Sequence, residues 1–213
     1  MITTIFDLDG TLADTLADLA DAVNYGLGKL GCPLHDYEKY KYFVGNGVQK
    51  LCHRALPDDR KDETEKLLEY FSDYYGKHFL DKTVIYDGMK ECLDILVKNN
   101  VTLAVATNKP QNFAREIVKS LLAEYDFIKV LGGCAERPKK PDTAIIREIL
   151  SSLPDDNEVY MIGDSDVDIK TAKCAEIKSV GCVWGFRGRQ ELLNAGADFI
   201  AETPQDIARF IIT

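Results

Sequence analysis

The chain predicts an α/β fold, a doubly wound parallel sheet with an α-helical cap domain inserted after the first strand. Three observations carry this. Residues 2–6, Ile-Thr-Thr-Ile-Phe, form a short β-branched, apolar run suited to a buried strand. From about residue 85 onward, apolar runs of strand length alternate strictly with segments of helical periodicity. That alternation is the pattern of right-handed βαβ crossovers and a parallel sheet. Between these parts, residues 13 to about 80 carry helical spacing and no strand pattern.

The elements follow in order. Leu12, Leu16, Leu19, Val23, Leu27 and Leu30 recur at three-to-four spacing and predict an amphipathic helix over 12–30. Gly31-Cys32-Pro33 ends it. A short aromatic segment at 37–42 is broken by Gly45-Asn46-Gly47. Val48, Leu51, Cys52 and Ala55 predict a short helix, and Pro57 opens a longer one with Leu67, Phe71, Tyr75 and Phe79 on its apolar face. Tyr86-Asp87-Gly88 marks the change of pattern. Helices are then predicted at 88–98, 110–122, 142–152, 166–175, 189–194 and 205–211. Strands are predicted at 101–106, 127–131, 159–162, 178–183 and 198–200. The domain reading is a core of 1–13 and 85–213 with a helical cap of 14–84, hinged near Ala13-Asp14 and Val84-Ile85-Tyr86.

Composition excludes several classes of function. The net charge is -9, and no Lys/Arg cluster offsets it, which argues against a nucleic-acid surface. No apolar run approaches the ~20 residues of a membrane span, and the first residues carry no signal-peptide pattern, so a cytoplasmic location is expected. The six cysteines are scattered without a CxxC pair and are expected to be buried or partly buried free thiols in a reducing compartment. An acidic protein needs local help from a metal, a lysine or backbone amides to hold an anion.

The polar residues at the strand ends supply that help. Asp7 and Asp9 follow the first strand and are one residue apart. Thr107, Asn108 and Lys109 follow the run at 101–106. Lys139-Lys140-Pro141-Asp142 comes after the run at 127–131, and Gly163-Asp164-Ser165 with Asp168 comes after that at 159–162. Parallel strands bring their carboxyl ends to one edge, where open α/β sheets build sites. Carboxylates suit Mg2+, a lysine and a hydroxyl suit phosphoryl oxygens, and a carboxylate is a competent nucleophile. Taken singly, each has an ordinary reading. Asp164 or Ser165 could cap the next helix, Lys140 and Arg187 could be solvated loop charges, Asp168 a surface helix residue, and Gly45-Asn46-Gly47 a plain turn. Arg54, His53, Tyr40 and Tyr42 are candidates for cap contacts, though each also has an ordinary reading as a surface or packing residue.

These four segments resemble the four motifs of the haloacid dehalogenase superfamily, whose cores are Rossmann-like. Asp7-Leu8-Asp9-Gly10-Thr11-Leu12 resembles the first, Thr107-Asn108-Lys109 the second, Lys140-Pro141-Asp142 the third and Gly163-Asp164-Ser165 through Asp168 the fourth. The helical block resembles the subclass with a helical cap. Asp14 through Leu19, Val44-Gly45-Asn46-Gly47 and Thr107-Asn108-Lys109-Pro110 are similar to phosphoglycolate phosphatases. The resemblance implies a Mg2+-dependent phosphomonoester hydrolase acting through a phosphoaspartyl intermediate. It implies Asp7 as nucleophile and Asp9 as general acid and base. Asp7, the Asp9 carbonyl and Asp164 would hold Mg2+. Thr107, Asn108 and Lys140 would hold the phosphoryl group, supported by Asp168 and Ser165, and Gly45, Asn46 and Gly47 would form a specificity loop. The implied partner is a small phosphorylated metabolite, 2-phosphoglycolate first, with the chain a monomer or homodimer. A pyrophosphatase, a nucleotide or sugar phosphatase and a β-phosphoglucomutase-like enzyme stay open. A receiver-like signalling module also gathers acids, a Thr and a Lys at strand ends, but a 70-residue lid has no use there.

Overall fold

The computed structural model describes residues 1–154 and 156–213. The chain enters through β1 (Ile2–Phe6), turns, and runs through a two-residue strand β2 (Ala13–Asp14) into α1 (Leu16–Lys29). The helices α2 (Tyr37–Phe43), α3 (Val48–Ala55) and α4 (Thr64–His78) follow, then β3 (Val84–Ile85) and α5 (Met89–Lys98). The rest alternates: β4 (Thr102–Pro110), α6 (Gln111–Leu121), β5 (Phe127–Gly133), α7 (Ala144–Leu150), β6 (Glu158–Gly163), α8 (Asp166–Cys174), β7 (Lys178–Cys182), α9 (Arg189–Ala195), β8 (Phe199–Ala201) and α10 (Pro204–Ile211).

The alternating part folds into a parallel sheet of order β5-β4-β1-β6-β7-β8. From β1 the chain steps outward through β4 and β5 on one side. It then crosses to β6, β7 and β8 on the other, so the strand order reverses beside β1. Neighbouring loops part there and leave a crevice at the carboxyl ends. The strands are apolar on both faces because helices cover both. Phe6, Leu103, Val105, Ile162 and Val180 pack against α5, α6 and α10 through Leu93, Leu96, Ile117, Ile207 and Ile211. The alternate residues Ile5, Ala104, Ala106 and Met161 pack against α7 and α8 through Ile145, Ile146, Ile149 and Ala172. Continuous apolar runs thus split into two faces by the two-residue period of a strand.

The helical block has its own buried cluster. Leu19, Val23 and Leu27 of α1 meet Leu51 of α3 and Leu67, Phe71 and Tyr75 of α4. Close approach of α1 and α4 depends on Gly26, where an added Cβ would lie 2.5 Å from Leu67 Cδ1. Phe186, from the loop after β7, completes this cluster from the core side.

Several elements differ from the sequence expectation. The first helix begins at Leu16 rather than residue 12. Residues 8–13 instead form a tight turn, with the amides of Thr11, Leu12 and Ala13 all donating to the Leu8 carbonyl and Gly10 at φ +82°. Ala13–Asp14 then pairs antiparallel with Val84–Ile85, so the two crossings into and out of the block are bonded to each other. Two residues carry no periodicity, which is why no strand is legible there. The helix expected from Pro57 starts at Thr64, because Asp58–Glu63 winds as a 3-10 segment broken at Arg60. β4 runs on to Pro110, so Thr107, Asn108 and Lys109 stand on extended backbone within the strand rather than in a connection after it. Of the cysteines, Cys32, Cys52, Cys92 and Cys182 are buried and Cys134 partly so, but Cys174 is exposed, against expectation. No helix among the described residues is long and apolar enough to cross a membrane.

Candidate active site

The register of β1 fixes the centre of the site. Phe6 is level with Val105 on one side and Ile162 on the other. One step further, Asp7 donates its amide to the Ile162 carbonyl at 2.8 Å. Ala106 and Gly163 are therefore level with it, and Thr107 and Asp164 come one residue further along the adjoining strands. The turn after Asp7 returns on itself so tightly that Asp9 sits beside the same crevice. Both acids line a cavity enclosing about 590 Å³ of empty space, part of it open to solvent.

Lys140 is buried in the middle of this cluster. Its ammonium donates to the Ala106 carbonyl at 2.8 Å and to Asp168 Oδ1 at 2.6 Å, and pairs with Asp7 Oδ1 at 3.1 Å. The reading of Lys140 as a solvated loop charge is corrected by this burial. So is that of Asp168 as a surface residue, since it is fully buried. The other oxygen of Asp168 accepts from the Ser165 amide (3.2 Å) and hydroxyl (2.6 Å), closing a capping box at the start of α8. Asp168 thus bonds helix start to lysine, and Ser165 holds Asp168.

Asp164 is also buried, and Oδ2 accepts from the Phe186 amide at 2.7 Å. Two glycines press against it. A Cβ at Gly10 would lie 2.5 Å from Asp164 Oδ2, and one at Gly185 would lie 2.2 Å from Asp164 Cβ and 2.3 Å from the Gly10 carbonyl. Asn108 is held from both sides: it donates to the Gly45 carbonyl (3.1 Å) and Lys140 carbonyl (3.2 Å), while its Oδ1 accepts from the Lys140 amide (2.8 Å). Its side chain is therefore committed to the loops, and the backbone is what it can offer an anion.

The electrostatics are unbalanced. Burial pushes the Asp7 carboxyl up to about 6, with Lys140 pulling it down and Asp168 and Asp9 adding to the rise. Burial is the larger effect, and the lowering by Lys140 is the smaller one. Burial, then Asp168 and Asp7, also raises Asp164 well above the usual carboxylate range. Asp7 Oδ1 has the Lys140 ammonium, at 3.1 Å, as its ion-pair partner. Carboxylate oxygens of Asp7, Asp164 and Asp168 lie within 4.8 Å of one another. An all-oxygen donor set of three clustered buried carboxylates fits a hard divalent cation such as Mg2+. Both Asp168 oxygens are already engaged, so Asp7 and Asp164 are the better placed ligands.

The helical block closes over the crevice. Val44, Gly45 and Gly47 line the cavity with Leu19, Val48, Leu51 and Tyr75. Arg187, from the loop after β7, donates to the Val44 carbonyl at 2.8 Å, and its side chain is only 14% exposed. It is a bridge between core and block, not the solvated loop arginine the sequence suggests. Arg54 braces the same loop from within the block, on the Phe43 carbonyl (2.8 Å) and Asn46 Oδ1 (2.7 Å). Sequence reasoning missed Asp18, whose carboxylate accepts the Lys82 and Thr83 amides and the Thr83 hydroxyl, tying α1 to the returning crossing. It placed Lys109 at a strand end and Tyr75 on an apolar helix face but did not bring the two together; their meeting depends on the α4 register, which no local motif signals.

This arrangement can hold a phosphoryl group and a cation over a buried carboxylate. The chain is similar to known proteins over most of its length. A family model described as haloacid dehalogenase-like hydrolase matches residues 4–182. A phosphoglycolate phosphatase of Vibrio parahaemolyticus is 34% identical over 97% of this chain and 94% of its own. A provisionally named phosphoglycolate phosphatase from Lactobacillus delbrueckii subsp. bulgaricus superposes with TM-score 0.91 at 30% identity, covering 98% of this chain and 97% of its own. A haloacid dehalogenase-like hydrolase from Streptococcus pneumoniae superposes with TM-score 0.86 at 26% identity, covering 98% of each. The chain belongs to the haloacid dehalogenase-like hydrolases and is a phosphatase of that family.

Proposed function

We propose that the chain is a Mg2+-dependent phosphomonoesterase working through a phosphorylated Asp7, with 2-phosphoglycolate as its substrate. The observation that carries the chemistry is the meeting of Asp7, Lys140, Asp164 and Asp168 at one sheet edge beneath a closed helical block. In this reading residues 1–13 and 85–213 are the core and 14–84 the cap.

The steps follow from the residues. Thr107, the amide of Asn108 and Lys140 hold the phosphoryl oxygens, and Lys140 is itself aimed by Asp168 and the Ala106 carbonyl. A cation held by Asp7, Asp164 and the Asp9 carbonyl would neutralise the phosphoryl charge against an acidic site. An Asp7 oxygen attacks phosphorus and the ester P–O bond breaks. Asp9 gives its proton to the departing alkoxide oxygen. Asp9, now a carboxylate, takes a proton from water as that water attacks the phosphoaspartate, which releases phosphate and restores Asp7. The cap keeps bulk water from intercepting the first step.

A small acidic substrate suits the cavity. Its walls are largely apolar side chains from the cap and Phe186, with Arg187 as a cation for a second anionic group. The names of the relatives support 2-phosphoglycolate over other small phosphates. The test is phosphate release from 2-phosphoglycolate, sugar phosphates, nucleotides and pyrophosphate, with Mg2+ and with chelator. The proposal expects 2-phosphoglycolate to give the highest kcat/KM and chelation to stop turnover. Preference for pyrophosphate or a sugar phosphate would replace the substrate, and full activity in chelator would remove the metal.

A further inference from the structure

Lys109 lies at the heart of the cavity without a part in the scheme above. It is on the extended end of β4, and its side chain is 2% exposed. Its ammonium contacts two groups. One is Asp9 Oδ1 at 2.9 Å, and the other is the Tyr75 hydroxyl at 2.7 Å, with the Tyr75 ring centroid 5.1 Å away. Burial pulls the lysine's pKa down, but Asp9 and Tyr75 together raise it, so it stays an ammonium. Tyr75 belongs to α4 of the cap. It is fully buried, stacked on Phe71 with centroids 4.9 Å apart, and set edge-on to Phe113 of α6.

Asp9 Oδ1 also accepts from the Thr15 hydroxyl at 2.7 Å. Two donors thus converge on one oxygen of this carboxylate, from segments far apart in the sequence. Its other oxygen takes no hydrogen bond among the described residues. Two bonds to Oδ1 remove the rotation that would exchange the two oxygens.

We propose that Lys109 is a positioning residue for Asp9: with Thr15 it fixes Oδ1, leaving Oδ2 to deliver and recover the proton, and Tyr75 makes this arrangement conditional on a seated cap. This rests on the acid–base reading of Asp9 given above. Lys140, not Lys109, is the lysine paired with Asp7, so stabilisation of the phosphoryl group is already provided for. Lys109 faces the leaving-group carboxylate instead. If α4 lifts, the Tyr75 hydroxyl leaves Lys109, and the lysine loses the partner that holds it. Proton delivery is thereby matched to the state in which water is excluded. Misplacing a reacting group by about 1 Å can cost on the order of 100-fold in rate.

The experiment uses two substrates of similar size that differ in need for a proton. The alkoxide leaving 2-phosphoglycolate is a strong base and must be protonated as it departs. The acetate leaving acetyl phosphate is a weak base and departs without help. Comparing kcat/KM confines the readout to steps up to leaving-group departure. For Lys109→Met, the ratio of kcat/KM values, 2-phosphoglycolate over acetyl phosphate, is expected to fall by about 10- to 100-fold, within the range of general acid catalysis. Tyr75→Phe keeps the ring and its stacking and is expected to lower the ratio by roughly 3-fold, a fraction of that same effect. Competitive inhibition by inorganic phosphate reports whether the phosphoryl site is intact, and it should be retained in both variants. Asp9→Asn is the reference and should lower the ratio most. If Asp9→Asn lowers it while Lys109→Met and Tyr75→Phe reduce both substrates equally, Lys109 is only structural and the inference is overturned. If Asp9→Asn leaves the ratio unchanged, the acid–base reading fails and takes the inference with it.

Discussion

Gly185 is the position where a single methyl group reports on the metal. An alanine Cβ there would lie 2.2 Å from Asp164 Cβ and 2.3 Å from the Gly10 carbonyl, where ordinary contact begins near 3.4 Å. One neighbour is backbone and the other is the root of a short side chain, so neither can swing aside. Something must retreat by about 1 Å, and Asp164 is tied to this same loop by the Phe186 amide. Metal ligands tolerate departures of only about 0.2 Å, and disturbing the groups that orient them typically costs about 10- to 100-fold in affinity. Gly185→Ala is therefore expected to weaken Mg2+ by that factor, about 1.4 to 2.7 kcal/mol. Overpacking should also cost the metal-free fold about 1–3 kcal/mol, a fall in Tm of roughly 3 to 10 °C for a chain of this size. Gly28→Ala in α1 is the control, since a Cβ there meets nothing within 4 Å. It should leave Mg2+ binding alone and stabilise slightly. Isothermal titration with Mg2+ and urea unfolding in chelator measure both quantities. An unchanged Mg2+ affinity in Gly185→Ala would refute the placing of the metal at Asp164.

Two further outcomes follow from the same contacts. Asp7 sits at about 6 in the fold against 3.8 when exposed, so the folded chain holds this proton more tightly than the unfolded one. Ionising it costs about 3 kcal/mol, a burden complete above about pH 6 and gone below 3.8. Metal-free Asp7→Asn should lack turnover yet be more stable than wild type at pH 7.5 in urea titrations, with the gap closing towards pH 4; a gap independent of pH contradicts this. Arg187→Ala removes a charged donor from the Val44 carbonyl, a bond of about 1.5–3 kcal/mol. It should raise KM roughly 10-fold with little change in kcat, and steady-state kinetics showing the reverse would place Arg187 in the chemistry instead.

The sheet was legible because every strand after residue 85 is separated from the next by a helix with its own apolar stripe, and only a parallel sheet accommodates that order. The acids were legible because Asp7 and Asp164 each follow the last residue of a strand, and strand ends share an edge. What could not be read came from contacts between distant segments. Arg187 looks like any loop arginine until the cap brings the Val44 carbonyl to it. Lys109 and Tyr75 meet across 34 residues through the register of α4. The β2–β3 pairing has two residues a side and no pattern to detect. The burial of Asp7 was equally hidden: sequence places Lys140 nearby, but only the packed core decides that desolvation outweighs it.

The central claim is that Asp7 takes the phosphoryl group. Rapid mixing of enzyme with 2-phosphoglycolate, acid quench within one turnover, and mass analysis of peptides test it most directly. Glycolate is expected to appear ahead of phosphate, with one phosphoryl group on the peptide that contains Asp7 and none in Asp7→Asn. Simultaneous release of glycolate and phosphate, with no phosphorylated peptide at any quench time, would contradict the account.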